Sequence, residues 1–194
     1  MIRINVITLF LSILVLCPGI KAQDYKAASL WDANGNVKEI KYKTKDPLMK
    51  KKKMKFEKDG KLKSNVMTYD DNGYPCGIDM NFGVVAFSVK FTYSSSKPHL
   101  LENVVMDTKV RNDYNSYDIT FSYEGDVPVK RVINAQKKGD DPASFEWTNT
   151  FSNYKFDSNG NWISRDVEMK GRNLTDGTTK ESSYTETREL TYWQ

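Results

Sequence analysis

A short turn pattern recurs four times in this chain of 194 residues. Each copy reads aromatic residue, acidic residue, any residue, Asn or Asp, and Gly, and the copies occupy residues 31–35, 56–60, 69–73 and 156–160. Asp and Asn favour type I turns because their side-chain oxygen accepts a nearby backbone N–H, and Gly suits the left-handed position that follows. The repeat therefore predicts reversals of an extended chain.

The spacing of the pattern indicates three-residue hairpin loops closed by a glycine bulge. In this geometry the aromatic residue of three copies faces an apolar residue across the hairpin: Trp31 faces Val37, Phe56 faces Leu62, and Phe156 faces Trp162. A two-residue loop would put these partners on opposite faces, because side chains alternate along a strand. The remaining copy places Pro75 opposite Tyr69, which indicates an edge strand or a bend, since proline cannot donate to a ladder.

Strand-like segments rich in Val, Ile, Thr, Phe and Tyr follow one another to the end of the chain. They cover residues 27–31, 37–43, 52–57, 62–69, 76–82, 85–93, 101–111, 116–123, 127–136, 145–156, 162–170 and 183–193. We find no sustained three-and-four spacing of apolar residues that would indicate a long helix. Short connections favour antiparallel neighbours. The sequence therefore predicts an all-β fold, an antiparallel meander of about twelve strands joined by short hairpins, in a curled sheet or an open barrel.

The first 22 residues have the layout of a secretory signal peptide. Arg3 precedes an apolar run over residues 4–16, and Pro18 and Gly19 precede Ala22. The run is shorter than the roughly 20 residues that span a bilayer. Cys17 leaves lipid attachment as an alternative. We predict cleavage after Ala22, export to the periplasm, cell surface or medium, and a single domain over residues 23–194 without a transmembrane segment.

Few residues of the chain could carry chemistry. Cleavage would leave Cys76 as the only cysteine, so no intramolecular disulfide could form. His99 is the only histidine, too few ligands for a typical zinc site, and no nucleophile elbow accompanies it. We predict no cofactor, no metal and no catalytic residue. The alternative is a glycoside hydrolase-like enzyme that uses paired carboxylates, for example from strand residues such as Asp166 and Glu168.

Two tryptophans and a lysine-rich segment are the candidate binding features. Trp147 and Trp162 would be platforms for sugar or peptide if exposed on the sheet, and core residues otherwise. Residues 36–63 carry twelve lysines, including Lys51 and Lys53, against four acidic residues. Such a patch could attract an anionic envelope component, or the lysines could keep an edge strand from pairing with other chains. The modest net charge of +4 argues against a nucleic-acid partner.

The copies over residues 31–37 and 156–162 resemble the YD repeat of RHS-type proteins, whose core is Tyr-Asp-x-x-Gly-Asn-hydrophobic. In the large RHS proteins such repeats build a β-spiral shell around a toxin, and this chain is too short for that. It is more similar to small exported proteins of Bacteroides-type bacteria. The resemblance implies hairpin architecture and an envelope or extracellular setting. We expect a non-enzymatic exported protein that binds a glycan, peptide or cell-envelope component, with a passive structural or assembly module as a further alternative.

Overall fold

The computed structural model of this chain describes residues 25–46, 53–63, 66–111, 113–139 and 142–194. The predicted signal peptide and Lys51 lie outside these ranges. Within them, a 3₁₀ helix over Ala27–Trp31, here called the 3₁₀ segment, precedes eleven strands. The strands are β1 (Val37–Lys43), β2 (Lys53–Lys55), β3 (Met67–Tyr69), β4 (Pro75–Asn81), β5 (Val85–Tyr93), β6 (Leu101–Val110), β7 (Asp113–Glu124), β8 (Val127–Lys138), β9 (Ala143–Phe156), β10 (Trp162–Asn173) and β11 (Thr179–Tyr192).

All these strands form one antiparallel sheet, in the order β2-β1-β11-β10-β9-β8-β7-β6-β5-β4-β3. Each strand from β3 to β11 pairs with the next, and β1 returns to pair with β11. The sheet is curled but not closed, so β2 and β3 are its edges. The predicted all-β meander is confirmed. Among the described residues no helix has the length and apolar character needed to cross a membrane.

Side chains on the concave face of the curled sheet are buried, and those on the convex face are mostly exposed. On β9, β10 and β11 the buried residues fall at alternate positions, as a strand period of two requires. They are Asn149, Phe151, Arg165, Val167, Glu186 and Arg188. Four of these six residues are polar or charged, so the interior of this sheet is not purely apolar.

Three of the four turn copies form hairpins with the predicted cross-strand partners. Phe56 and Leu62 form a bridge, Tyr69 pairs with Pro75, and Phe156 pairs with Trp162. The closing glycines Gly60, Gly73 and Gly160 have φ values of 85°, 81° and 75°. A register irregularity falls at Tyr69. Pro75 is the first residue of β4, which lies between β3 and β5, so the proline is at the start of a strand and not on an edge strand.

The strand predicted over residues 27–31 is wrong. These residues form the 3₁₀ segment, and Val37 pairs with Tyr192 instead of Trp31. The physical reason is the limited space at the end of the curled sheet. Ala27, Ala28 and Ser29 are small and buried, so this segment fills one end of the curled sheet, where an extended strand would find no partner for its backbone groups. The strand predicted over residues 62–69 is also too long, since β3 begins at Met67.

The residues that precede the 3₁₀ segment link the two edges of the sheet. The backbone N–H of Tyr25 donates to the carbonyl of Asp59 at 2.8 Å, in the turn after edge strand β2. The N–H of Lys26 donates to the carbonyl of Gly73 at 2.8 Å, in the turn after edge strand β3. One short piece of chain therefore holds together the ends of two strands that do not pair with each other.

Arg188 on β11 anchors the end of the 3₁₀ segment to the sheet by hydrogen bonds. Its side chain is buried, and its guanidinium donates to the carbonyls of Trp31, Asp32 and Trp162, with distances of 2.9 Å to Asp32 and 2.6 Å to Trp162. The guanidinium carbon lies 3.8 Å from the centroid of the Trp162 ring. Arg188 therefore donates to three carbonyl groups, of which one belongs to the last residue of the 3₁₀ segment and one to Asp32, the residue that follows it.

We expect Arg188→Met to lower the free energy of unfolding by about 3–5 kcal/mol, because three carbonyl groups would lose their donor. Urea denaturation followed by circular dichroism would measure the change. Arg172→Met, at an exposed position of the neighbouring strand β10, is the matched control and should change stability by less than about 0.5 kcal/mol. Equal effects of the two substitutions would contradict the anchoring role of Arg188.

Candidate functional site

A cavity of about 130 Å³ lies on the concave face of β7, β8, β9 and β10. Its lining residues are Asp46, Tyr117, Arg131, Ile133, Trp147, Asn149 and Met169. The strand register brings them together, because Arg131 pairs with Asn149, Asn149 with Met169, and Ile133 with Trp147. An engineered cavity of about 150 Å³ in another protein binds benzene. This cavity therefore has the size of a single ring.

Asn149 is the most unusual residue of the cavity. It is 1% exposed, and neither Nδ2 nor Oδ1 of its side chain has a hydrogen-bond partner among the described residues. A buried polar group without a partner costs about 1–3 kcal/mol, and native proteins rarely leave one. Asn149 lines the cavity, but both atoms of its amide are buried.

Arg131, directly opposite Asn149 on β8, forms an ion pair at the same cavity. Its Nη2 donates to Oδ2 of Asp46 at 2.6 Å, and the two side chains are 12% and 5% exposed. The Nε of Arg131 is buried and has no hydrogen-bond partner in the described ranges. Two donors and one acceptor beside the cavity are therefore buried without a partner among the described residues, namely Arg131 Nε, Asn149 Nδ2 and Asn149 Oδ1, while the ion pair balances the charge of the guanidinium.

Trp147 supplies the aromatic wall of the cavity. Its ring stacks on Phe145, with centroids 5.3 Å apart and an interplanar angle of 18°. Its cross-strand partner is Gly171, and a Cβ atom at that position would lie 2.6 Å from Cδ1 of Trp147. Glycine at position 171 therefore allows the indole to lie across β10 and to border the cavity.

A second cavity of about 100 Å³ adjoins the first and shares Asp46 and Arg131 with it. Its further lining residues are Leu30, Trp31, Asp32, Tyr42, Phe121, Pro128, Phe151, Arg165 and Glu186. Burial raises the pKa of Asp32, against the opposing effect of nearby arginines, and raises the pKa of Tyr42 to about 12. The Arg131–Asp46 ion pair borders both cavities.

The second cavity is polar but internally paired. Arg165 donates to Oε2 of Glu186 from Nε at 2.8 Å and lies 2.7 Å from it through Nη2. The same guanidinium lies between two rings, with its carbon 3.9 Å from the centroid of Phe151 and 4.1 Å from that of Trp162. Arginine and aromatic residues therefore alternate through the interior from Phe151 to Arg188.

Of the three candidate binding residues that the structure describes, only Trp147 lies at the cavity of about 130 Å³. Trp162 is 3% exposed and belongs to the core. Its ring lies between the guanidinium groups of Arg165 and Arg188, and the register of β10 is irregular next to it. It is therefore not a surface platform. Lys53 lies on edge strand β2, where its Nζ is 3.0 Å from Glu39 Oε2. Lys51 lies outside the described residues.

The acids named for the alternative hydrolase are not at either cavity. Asp166 accepts hydrogen bonds from Asn153 and Thr185, each at 2.8 Å, and these bonds lower its pKa. Glu168 is exposed on the same convex face. Within the described ranges, no group of three or more His, Cys, Asp or Glu residues could hold a metal ion.

Sequence reasoning missed Asn149 and Arg131, although Asn149 left a signal. Residues 147, 149 and 151 share one face of β9, and two of them are Trp and Phe. An amide between two aromatic residues on the buried face of a strand interrupts the apolar alternation. Such an interruption could have identified the position as functional.

The chain matches no protein-family model, and no curated protein or solved structure is significantly similar to it. The resemblance to YD repeats stays a prediction.

We expect Asn149→Leu to raise the free energy of unfolding of the unliganded protein by about 1 kcal/mol, because it removes a buried amide that lacks protein partners at similar volume. Urea denaturation would measure the gain. A loss of 1 kcal/mol or more would instead indicate that Asn149 stabilises the fold, and would contradict its assignment to a site.

We expect Gly171→Ala to displace the indole of Trp147 and to change its fluorescence, because the added Cβ would overlap the ring. The emission spectrum of the variant, compared with that of Trp147→Phe, would isolate the contribution of this residue. Thr150→Ala, whose side chain faces the convex surface of β9, is the control and should leave the spectrum unchanged. An unchanged spectrum in the Gly171→Ala variant would contradict the described contact.

Proposed function

We propose that this chain is a non-enzymatic exported binding protein whose concave face takes one ring-sized, uncharged group of a glycan, peptide or cell-envelope component. The observation that carries the proposal is the largely apolar cavity of about 130 Å³, which has Trp147 in its wall and the buried, unpaired side chain of Asn149 beside it. Trp147, Ile133 and Met169 would bury the apolar part of the same group.

The state of the interior carboxylates favours binding over hydrolysis. Glycoside hydrolysis needs one carboxyl that donates a proton and a second that acts as base or nucleophile. Asp46 and Glu186 are each paired with an arginine, at 2.6 Å and 2.7 Å. Asp32, whose pKa is raised by burial, lines only the second cavity.

A glycan and peptide array probed with the full exported protein would test the proposal. We expect at least one class of probe to bind, and Trp147→Ala and Asn149→Leu each to weaken that binding by about tenfold or more, because each removes contacts worth 1–2 kcal/mol. Thr150→Ala is the control for the opposite face of β9, and Lys53→Ala is the control for the lysine-rich edge. Binding that depends on Lys53 and not on Asn149 would move the site to the convex edge and contradict the proposal.

A further inference from the structure

We propose that two adjacent hairpin tips at one end of the sheet insert their side chains into the surface of a lipid bilayer. None of the tip residues lines the cavity of about 130 Å³, so this surface is separate from the site of the proposed function. Three features of the tips point to lipid: exposed apolar side chains, paired backbone groups and flanking cations.

The exposed apolar side chains form one continuous surface. Phe82 and Val84, in the turn between β4 and β5, are 71% and 69% exposed. Val85, the first residue of β5, pairs with Val110, the last residue of β6, and both are exposed. Contiguous exposed apolar residues mark an interaction site, whereas single ones are normal. We call these four residues the apolar tips.

The apolar tips lie at the end of the sheet opposite the 3₁₀ segment. Because neighbouring strands are antiparallel, the β4–β5, β6–β7, β8–β9 and β10–β11 turns share this end. Leu174, in the β10–β11 turn, is 52% exposed there. Among the described residues, the other exposed large apolar side chains are Val66, before edge strand β3, and Phe156, in the β9–β10 hairpin. Exposed apolar surface is therefore concentrated at one end.

The backbone of the apolar tips is suited to an apolar medium. The N–H of Phe82 donates to the carbonyl of Val85 at 2.8 Å, and the N–H of Arg111 donates to the carbonyl of Val84 at 2.9 Å. The N–H of Gly83 donates to a side-chain oxygen of β4 at 2.9 Å. A bilayer offers no water to backbone groups, so an unpaired group would be costly there. These three N–H groups need no water when the tips insert.

Two exposed cations flank the apolar tips. Lys109 and Arg111 lie on either side of Val110, and neither forms an ion pair with a described residue. The described residues next to this turn include one acid, Asp113. Long basic side chains can follow an apolar surface while their charge stays at the level of lipid phosphates. Lys109 and Arg111 would therefore limit the depth of insertion and add attraction to anionic lipid.

A bilayer fits the apolar tips better than a second copy of the chain does. A stable protein interface buries roughly 800 Å² on each partner, and four side chains of this size provide less than that even when fully covered. Insertion into lipid requires no complementary shape, and its strength grows with each apolar side chain that is buried. The small, protruding surface therefore suits lipid.

Co-sedimentation with vesicles of phosphatidylcholine, alone or mixed with phosphatidylglycerol, would test the proposal. Residues 23–194, the predicted exported form, should be used, because the apolar run of the signal peptide would itself bind lipid. The test variant combines Phe82→Ser and Val84→Ser. The matched control combines Phe156→Ser and Val66→Ser, which alter one phenylalanine and one valine exposed elsewhere. Circular dichroism would verify that each variant is folded.

We expect the natural chain to bind both kinds of vesicle, the test variant to bind at least about tenfold more weakly, and the control to be unchanged. Phe82→Trp should retain binding, because tryptophan is favoured at the membrane interface. Arg111→Gln should weaken binding to the mixed vesicles more than to phosphatidylcholine alone.

Absence of vesicle binding, or an equal loss in the test variant and the control, would overturn the proposal. Self-association in analytical ultracentrifugation that Phe82→Ser abolishes, without vesicle binding, would instead assign the apolar tips to a second copy. Neither result would alter glycan or peptide binding that depends on Trp147, so failure here is distinguishable from failure of the proposed function.

Discussion

The fold depends on one buried arginine, Arg188, whose side chain donates hydrogen bonds to a part of the chain outside the sheet. A curled sheet with two free edges leaves an opening at its end, and here the 3₁₀ segment fills it. That segment cannot join the ladder, so its carbonyl groups need donors from elsewhere. Arg188 donates to Trp31 and Asp32 and also to Trp162 on its own sheet. A guanidinium, with five N–H groups in a fixed plane, is suited to this task.

The neighbouring part of the interior is also built from arginine and aromatic side chains. Trp162 lies between the guanidinium groups of Arg188 and Arg165, at 3.8 and 4.1 Å, and Phe151 covers the other side of Arg165 at 3.9 Å. Glu186 balances the charge of Arg165. In this half of the concave face the charges are balanced, although Nε1 of Trp162 is buried without a hydrogen-bond partner among the described residues. Asn149 and Arg131 differ from Trp162 because their unpaired atoms belong to residues that line the cavity of about 130 Å³.

Local patterns allowed three of the four hairpins and the all-β class to be predicted from sequence. The turn at Gly160 and the pairing of Phe156 with Trp162 depend on neighbouring residues, and local propensity describes such features well. The 3₁₀ segment could not be predicted, because its form is set by the space between β2 and β3. These two strands are the opposite edges of the sheet, and no local pattern shows that the curled sheet brings their ends close together. The burial of Trp162 depends likewise on Arg165 and Arg188, which reach it only after β9, β10 and β11 assemble.

The pairing of β1 with β11 determines when folding can finish. Ile40 pairs with Leu190, and Arg188 bonds to a carbonyl 157 residues earlier in the chain. The hairpins from β3 to β11 join strands that are neighbours in sequence, so each closes a short loop. The contacts of β1 and the 3₁₀ segment with β11 close a loop of about 150 residues, and the entropic cost of closing a loop rises with its length. Because β1 pairs with β11, the described fold cannot be complete until β11 has left the ribosome.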